Sequence, residues 1–130
     1  MQRTETFLSF CPRKCIIIPH MHRYYVAFIT VPVEKARDIA EYIIKEKLGA
    51  CVNVISEVSS IYWWKGNIER DKESLLVVKT SSSKIRDLID KVKSVHPYTV
   101  PEIIAMPIEV GNEDYLRWID ASLEISQESS

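Results

Sequence analysis

From Ala50 to Trp64 the chain runs fifteen residues without a proline, with β-branched and aromatic residues recurring throughout. Fully extended, that segment would span about 50 Å at roughly 3.3 Å per residue. A small domain is only about 30 Å across, and most strands run to about five or six residues. Lys65-Gly66-Asn67 then supplies a turn, with Gly66 free to take positive φ. The resulting hairpin must project past its own sheet or bend sharply, through a bulge near Glu57–Ser60 that would fold it back onto its own helices. If it projects, Ile61, Tyr62, Trp63, Trp64 and Ile68 form an exposed ribbon that needs a partner chain. Symmetric homo-oligomers are the usual solution.

The remaining elements fall into place around that hairpin. Tyr24 to Val31 is apolar on both faces, as a central strand is, and Pro32 ends it. Ala36, Ile39, Ala40, Ile43, Ile44 and Leu48 recur at helical spacing, with Gly49 expected to take the left-handed position that closes the helix. A second helix is predicted from the Ser81–Ser83 cap region through Val95, stopped by Pro97. A third starts after Gly111, with Asn112 as N-cap and Glu113 and Asp114 suited to its first turn. Ser74–Thr80 and Glu102–Val110 read as the other strands. The order strand–helix–strand–strand–helix–strand predicts an α/β (α+β) class chain, a ferredoxin-like split βαβ sandwich with a long projecting hairpin and an extra C-terminal helix.

Residues 24–125 form the predicted domain, and residues 1–23 read as a disordered N-terminal tail. Seventeen Lys and Arg against eighteen Asp and Glu argue against nucleic acid as the main partner. No apolar run approaches the roughly 20 residues that span a bilayer, so no membrane is expected. Three cysteines, an odd number, suit a reducing interior and a cytoplasmic location.

Five blocks then resemble one family in order. They are Ala50 to Asn53, Ser60 to Glu69, Leu75 to Thr80, His96-Pro97-Tyr98-Thr99-Val100-Pro101-Glu102-Ile103, and Asp114 to Ile119. Together they resemble the CutA divalent-cation tolerance proteins over about residues 24–124. The resemblance implies a tight homotrimer with hairpins pairing between subunits, a role in copper and other divalent-cation homeostasis, and no enzyme activity. Trimeric PII-type signalling proteins share the architecture, which makes small-ligand sensing, or a protein-interaction scaffold, the alternative.

His96 and Cys51 are the candidate metal ligands. Imidazole suits copper and zinc, although a histidine after a helix also complements its negative end. A Cys51 thiolate would select copper(I) or zinc, yet a thiol at a strand start packs equally well in a core. Ile29 and Val95 stand where some family members carry a cysteine and a second histidine, so His96 would need a further donor from Cys51, Glu102 or another subunit. Tyr62, Trp63, Trp64, Lys65, Tyr98 and Glu102 make a second constellation, expected to line a cleft between subunits or simply to pack there. Cys11, Cys15, His20 and His22 add four donors in the tail, at a spacing that does not match the usual zinc pattern. No G-x-S-x-G, H-E-x-x-H or glycine-rich phosphate loop is present. No cofactor is required; copper or another divalent cation is the candidate ion.

Overall fold

The computed structural model describes residues 23–125. The tail donors Cys11, Cys15, His20 and His22 lie outside them. The elements are β1 (Tyr24–Val31), α1 (Ala36–Lys45), β2 (Cys51–Trp64), β3 (Asn67–Ser81), α2 (Ile85–Val95), β4 (Ile103–Pro107) and α3 (Glu113–Ser122). The four strands form one sheet in the order β2-β3-β1-β4, every neighbouring pair antiparallel. That is the split βαβ arrangement expected from the element order.

Strand alternation assigns the two sheet faces. Ala27, Ile29 and Val31 of β1 and Leu76 and Val78 of β3 turn toward the helices. There they bury against Ala36, Ile39, Ala40 and Ile43 of α1 and Leu88 and Val92 of α2. The helices lie on this face because their apolar residues recur at three- and four-residue spacing, giving each one sticky stripe. On the other face stand Val26, Phe28, Leu75, Val77, Ile104 and Met106. α3 covers one end of it: Ile119 and Leu123 are buried, and the Tyr24 hydroxyl donates to Asp120 at 2.7 Å. Asn112 caps α3 as expected, its side chain accepting from the Asp114 amide at 2.9 Å.

Gly49 plays a different part from the one read in the sequence. The left-handed residue that closes α1 is Lys47, at φ 59°. The Lys47 and Leu48 amides bond back to the carbonyls of Ile44 and Ile43, the paired pattern of a Schellman cap. Gly49 is instead a point of close approach: a Cβ there would lie 2.6 Å from Val78 Cγ1.

β3 begins at Asn67, seven residues before the expected start at Ser74. Its first half, Asn-Ile-Glu-Arg-Asp-Lys, has no apolar alternation, and it is extended because β2 pairs with it from Trp64↔Asn67 onward. The connecting turn is Lys65-Gly66, both at positive φ (51° and 83°), which gives the hairpin the twist of its strands. One extra residue on β2 between Ile55 and Val58 makes a bulge opposite Ser74, whose hydroxyl donates to the Ser56 carbonyl at 2.7 Å. The bulge bends the hairpin but does not bury its tip: Trp63 remains 72% exposed and Ile61 67%.

Candidate functional site

The bent hairpin faces the segment that joins α2 to β4, Pro97 to Glu102. Between them lies a cleft of about 1030 Å³, lined on one side by Ser59 to Trp64 and Glu69, on the other by Pro97 to Val100 and Glu102, and floored by Thr30 and Glu73. The structure thus brings together five of the six residues expected to form a cleft: Tyr62, Trp63, Trp64, Tyr98 and Glu102. All five meet within a single chain. Lys65, the sixth, sits at the hairpin tip with its Nζ 5.8 Å from the centroid of the Trp64 ring.

Among the described residues three glutamates line this cleft, Glu69, Glu73 and Glu102, and no Lys, Arg or His does. Sequence reading singled out only Glu102. Glu69 and Glu73 lie in a stretch of mixed charge whose strand pairing was not legible, so the direction of their side chains was not either. Glu73 is only 6% exposed. Its carboxylate accepts from the Tyr98 hydroxyl at 2.6 Å. Glu102 lies 3.5 Å from the Thr30 hydroxyl, which donates to it. Beside the cleft the Tyr62 hydroxyl donates to Asp71. Among the described residues none of Glu69, Glu73 and Glu102 takes part in an ion pair.

The phenols report this acidity. The Tyr98 hydroxyl is pushed well above its ordinary value near 10 by burial first, then by its bond to Glu73. Tyr62 is pushed up to about 12, chiefly by its bond to Asp71. In both cases ionisation would place a phenolate against a carboxylate.

His96 is buried behind the cleft. Its Nε2 lies 2.8 Å from the Thr30 carbonyl, and its Nδ1 accepts from the Tyr98 amide at 3.1 Å. Accepting at Nδ1 fixes the proton on Nε2, so the ring donates to one backbone group and accepts from another. A metal at either nitrogen would have to displace one of these bonds. Here the imidazole is a strut that pins the cleft's second wall to β1.

Cys51 stands elsewhere. It opens β2 opposite Lys79, whereas Thr30, which His96 contacts, is opposite Leu75. Four residues along β3 separate the two levels, about 13 Å at roughly 3.3 Å each. Cys51 is partly covered by α3 and raises the Tyr115 hydroxyl, a smaller effect there than that of burial. Among the described residues no three His, Cys, Asp or Glu side chains converge on one point fit for a metal ion. The pair His96 and Cys51 does not fit a metal centre within one chain.

Comparison with known proteins gives a consistent picture. Residues 25–122 match the family of the CutA1 divalent ion tolerance protein. Protein CutA of Homo sapiens is 52% identical over 94 residues, which cover 72% of this chain and 52% of the human protein. The divalent-cation tolerance protein CutA of Thermus thermophilus is 50% identical over 95 residues, covering 72% of this chain and 92% of that one. The chain thus spans about half the length of the human relative it matches and nearly all of the bacterial one. Among solved structures, the periplasmic divalent cation tolerance protein CutA from Archaeoglobus fulgidus superposes with a TM-score of 0.74 at 42% identity, covering 77% of this chain and 98% of that one. CutA1 from Oryza sativa gives 0.75 at 42% identity, covering 82% and 96%. No helix among the described residues is long and apolar enough to cross a membrane.

Proposed function

The chain belongs to the CutA1 divalent ion tolerance family, and from that premise we propose that it is a homotrimeric, non-catalytic protein of copper and heavy-metal tolerance that takes cations at its acidic cleft. One observation carries the reading: among the described residues three glutamates line the cleft and no basic side chain does. Uncompensated carboxylates between low-dielectric aromatic walls concentrate cations. Because no three donors converge among the described residues, a metal ion held tightly there takes a further donor from a neighbouring subunit. His96 serves in this reading as a positioning residue for the cleft wall.

The trimer draws support from apolar surface that the chain leaves uncovered. Ile104 is 51% exposed and Met106 44% on the sheet face that α3 only partly covers, and the hairpin tip is open as well. The odd cysteine count underlies a cytoplasmic location for this chain, whereas the Archaeoglobus protein is described as periplasmic. A second reading, PII-like sensing of a small ligand or a scaffold role, is favoured by the size and aromatic walls of the same cleft.

The test is a calorimetric titration of copper(II) into the full chain with Cys11→Ser, Cys15→Ser, His20→Ala and His22→Ala, which silence the tail donors. Saturable binding that is lost on adding Glu69→Gln and Glu102→Gln, and kept on adding His96→Ala, supports the proposal. Binding that ignores the glutamates, or that disappears with His96 in a folded protein, overturns it.

A further inference from the structure

We infer that the β2 bulge, clamped by the Ser74 hydroxyl, fixes the angle at which the hairpin leaves the sheet, and so the angle at which identical subunits close into a ring; this rests on the trimeric reading above. Pairing of β1 with β3 ends at Val31↔Ser74. Beyond Ser74 the hairpin is a two-stranded ribbon with no third strand of its own chain beside it. The extra residue of β2 lies opposite that same Ser74, between the pairs Ile55↔Leu75 and Val58↔Glu73. The bend therefore stands at the root of the ribbon. Asn67, where β3 begins at the tip, lies seven residues along, about 23 Å at roughly 3.3 Å each, so a small change of angle at the root moves the tip far.

Ser74 holds the bend. A bulge disrupts the ladder locally, and here the Ser56 carbonyl accepts from the Ser74 hydroxyl at 2.7 Å. Ser74 is fully buried, and its backbone stands opposite Val31 of β1, so the clamp is anchored in the sheet and not in the ribbon. The bulge also reverses the alternation of β2. Val52 and Val54 stand opposite Val78 and Leu76, on the side that faces the helices. An unbroken strand would carry Tyr62 and Trp64 to that side. With the extra residue Ile61 and Trp63 take it, Trp63 directly opposite Ile68. One side of the ribbon is thus an apolar stripe of Ile61, Trp63 and Ile68, which in the proposed trimer meets a second copy of the chain. A ribbon of one subunit laid on the next is a head-to-tail contact. Such a contact closes only if the rotation it imposes is right, and otherwise runs on as an open filament. The clamped bulge sets that rotation.

The experiment is sedimentation velocity of the full chain and three variants over a concentration series. Deleting Glu57 removes the bulge and leaves Cys51–Ile55 and Val58–Trp64 opposite the partners they already have. The deletion variant is expected to keep the parent's far-ultraviolet circular dichroism and to spread from a trimer into monomers and larger open assemblies. Ser74→Ala keeps the bulge but loses the clamp, and its trimer is expected to dissociate at concentrations at least about tenfold higher than the parent's. Thr80→Val removes an equally buried hydroxyl-to-carbonyl bond, to Leu48 at 2.7 Å, far from the ribbon. It is expected to leave the assembly unchanged. If the deletion variant does not fold, the contrast between Ser74→Ala and Thr80→Val decides. A folded deletion variant that stays a closed trimer, or two point variants that shift dissociation equally or not at all, overturns the inference and leaves the trimer standing. A parent chain that sediments as a monomer removes the trimer and the inference together.

Discussion

The hydroxyl of Tyr98 donates to the buried carboxylate of Glu73 at 2.6 Å, joining the loop after α2 to the middle of β3. This bond ties one wall of the cleft to its floor across 25 residues of sequence. Tyr98→Phe removes the donor and leaves a buried carboxylate with one partner fewer. A loss of about 1–3 kcal/mol is expected, read by urea denaturation under conditions where the native assembly is held constant.

Alkaline titration probes the same bond. The hydroxyls of Tyr98 and Tyr62 both ionise above their ordinary value near 10 in the folded protein. A raised folded value means that the native state holds its proton longer than the unfolded chain. Stability from these groups is therefore complete below about pH 10 and drains away as pH rises toward the folded values. Phenolate absorbance is expected to show a late-ionising component, reduced in Tyr98→Phe, whose stability falls less steeply above about pH 10.

His96→Ala separates the two roles open to this side chain. Loss of its bonds to Thr30 and Tyr98 is expected to lower stability by about 1–3 kcal/mol. The copper stoichiometry is expected to stay that of the parent. A folded variant that no longer binds copper would restore the imidazole as a ligand.

Gly49→Ala tests close approach. The added methyl meets Val78 Cγ1 at 2.6 Å and Ile43 Cγ2 at 3.1 Å, both on fully buried residues. Overpacking of this kind costs about 1–3 kcal/mol. Unchanged thermal unfolding would show that α1 and β3 can move apart freely.

Ile104→Asp addresses assembly. The residue is half-exposed on the open sheet face, so the change is tolerated within one subunit but, in the proposed trimer, places a charge in an apolar contact between subunits. Sedimentation is expected to shift from trimer toward monomer with little change in far-ultraviolet circular dichroism. A parent chain that already sediments as a monomer would overturn the trimer.

The sequence by itself determined which elements form and in what order. Ala36 to Leu48 and Ile85 to Val95 carry apolar residues at helical spacing, and Tyr24 to Val31 carries them on both faces. These are local signals that any packing must respect. The length of β2 likewise required a bend or a projection, and the bulge after Ile55 with an exposed tip provides both. Tertiary structure alone decided what the polar residues do. Asn67 to Lys72 is a strand only because β2 lies beside it, and that pairing is what places Glu69 in the cleft. His96 reads as a free imidazole in sequence and becomes a two-sided strut because Thr30, 66 residues away, presents a carbonyl to it. Hydrophobic periodicity is written along the chain, whereas a hydrogen-bond partner or an uncompensated charge depends on which distant backbone arrives alongside.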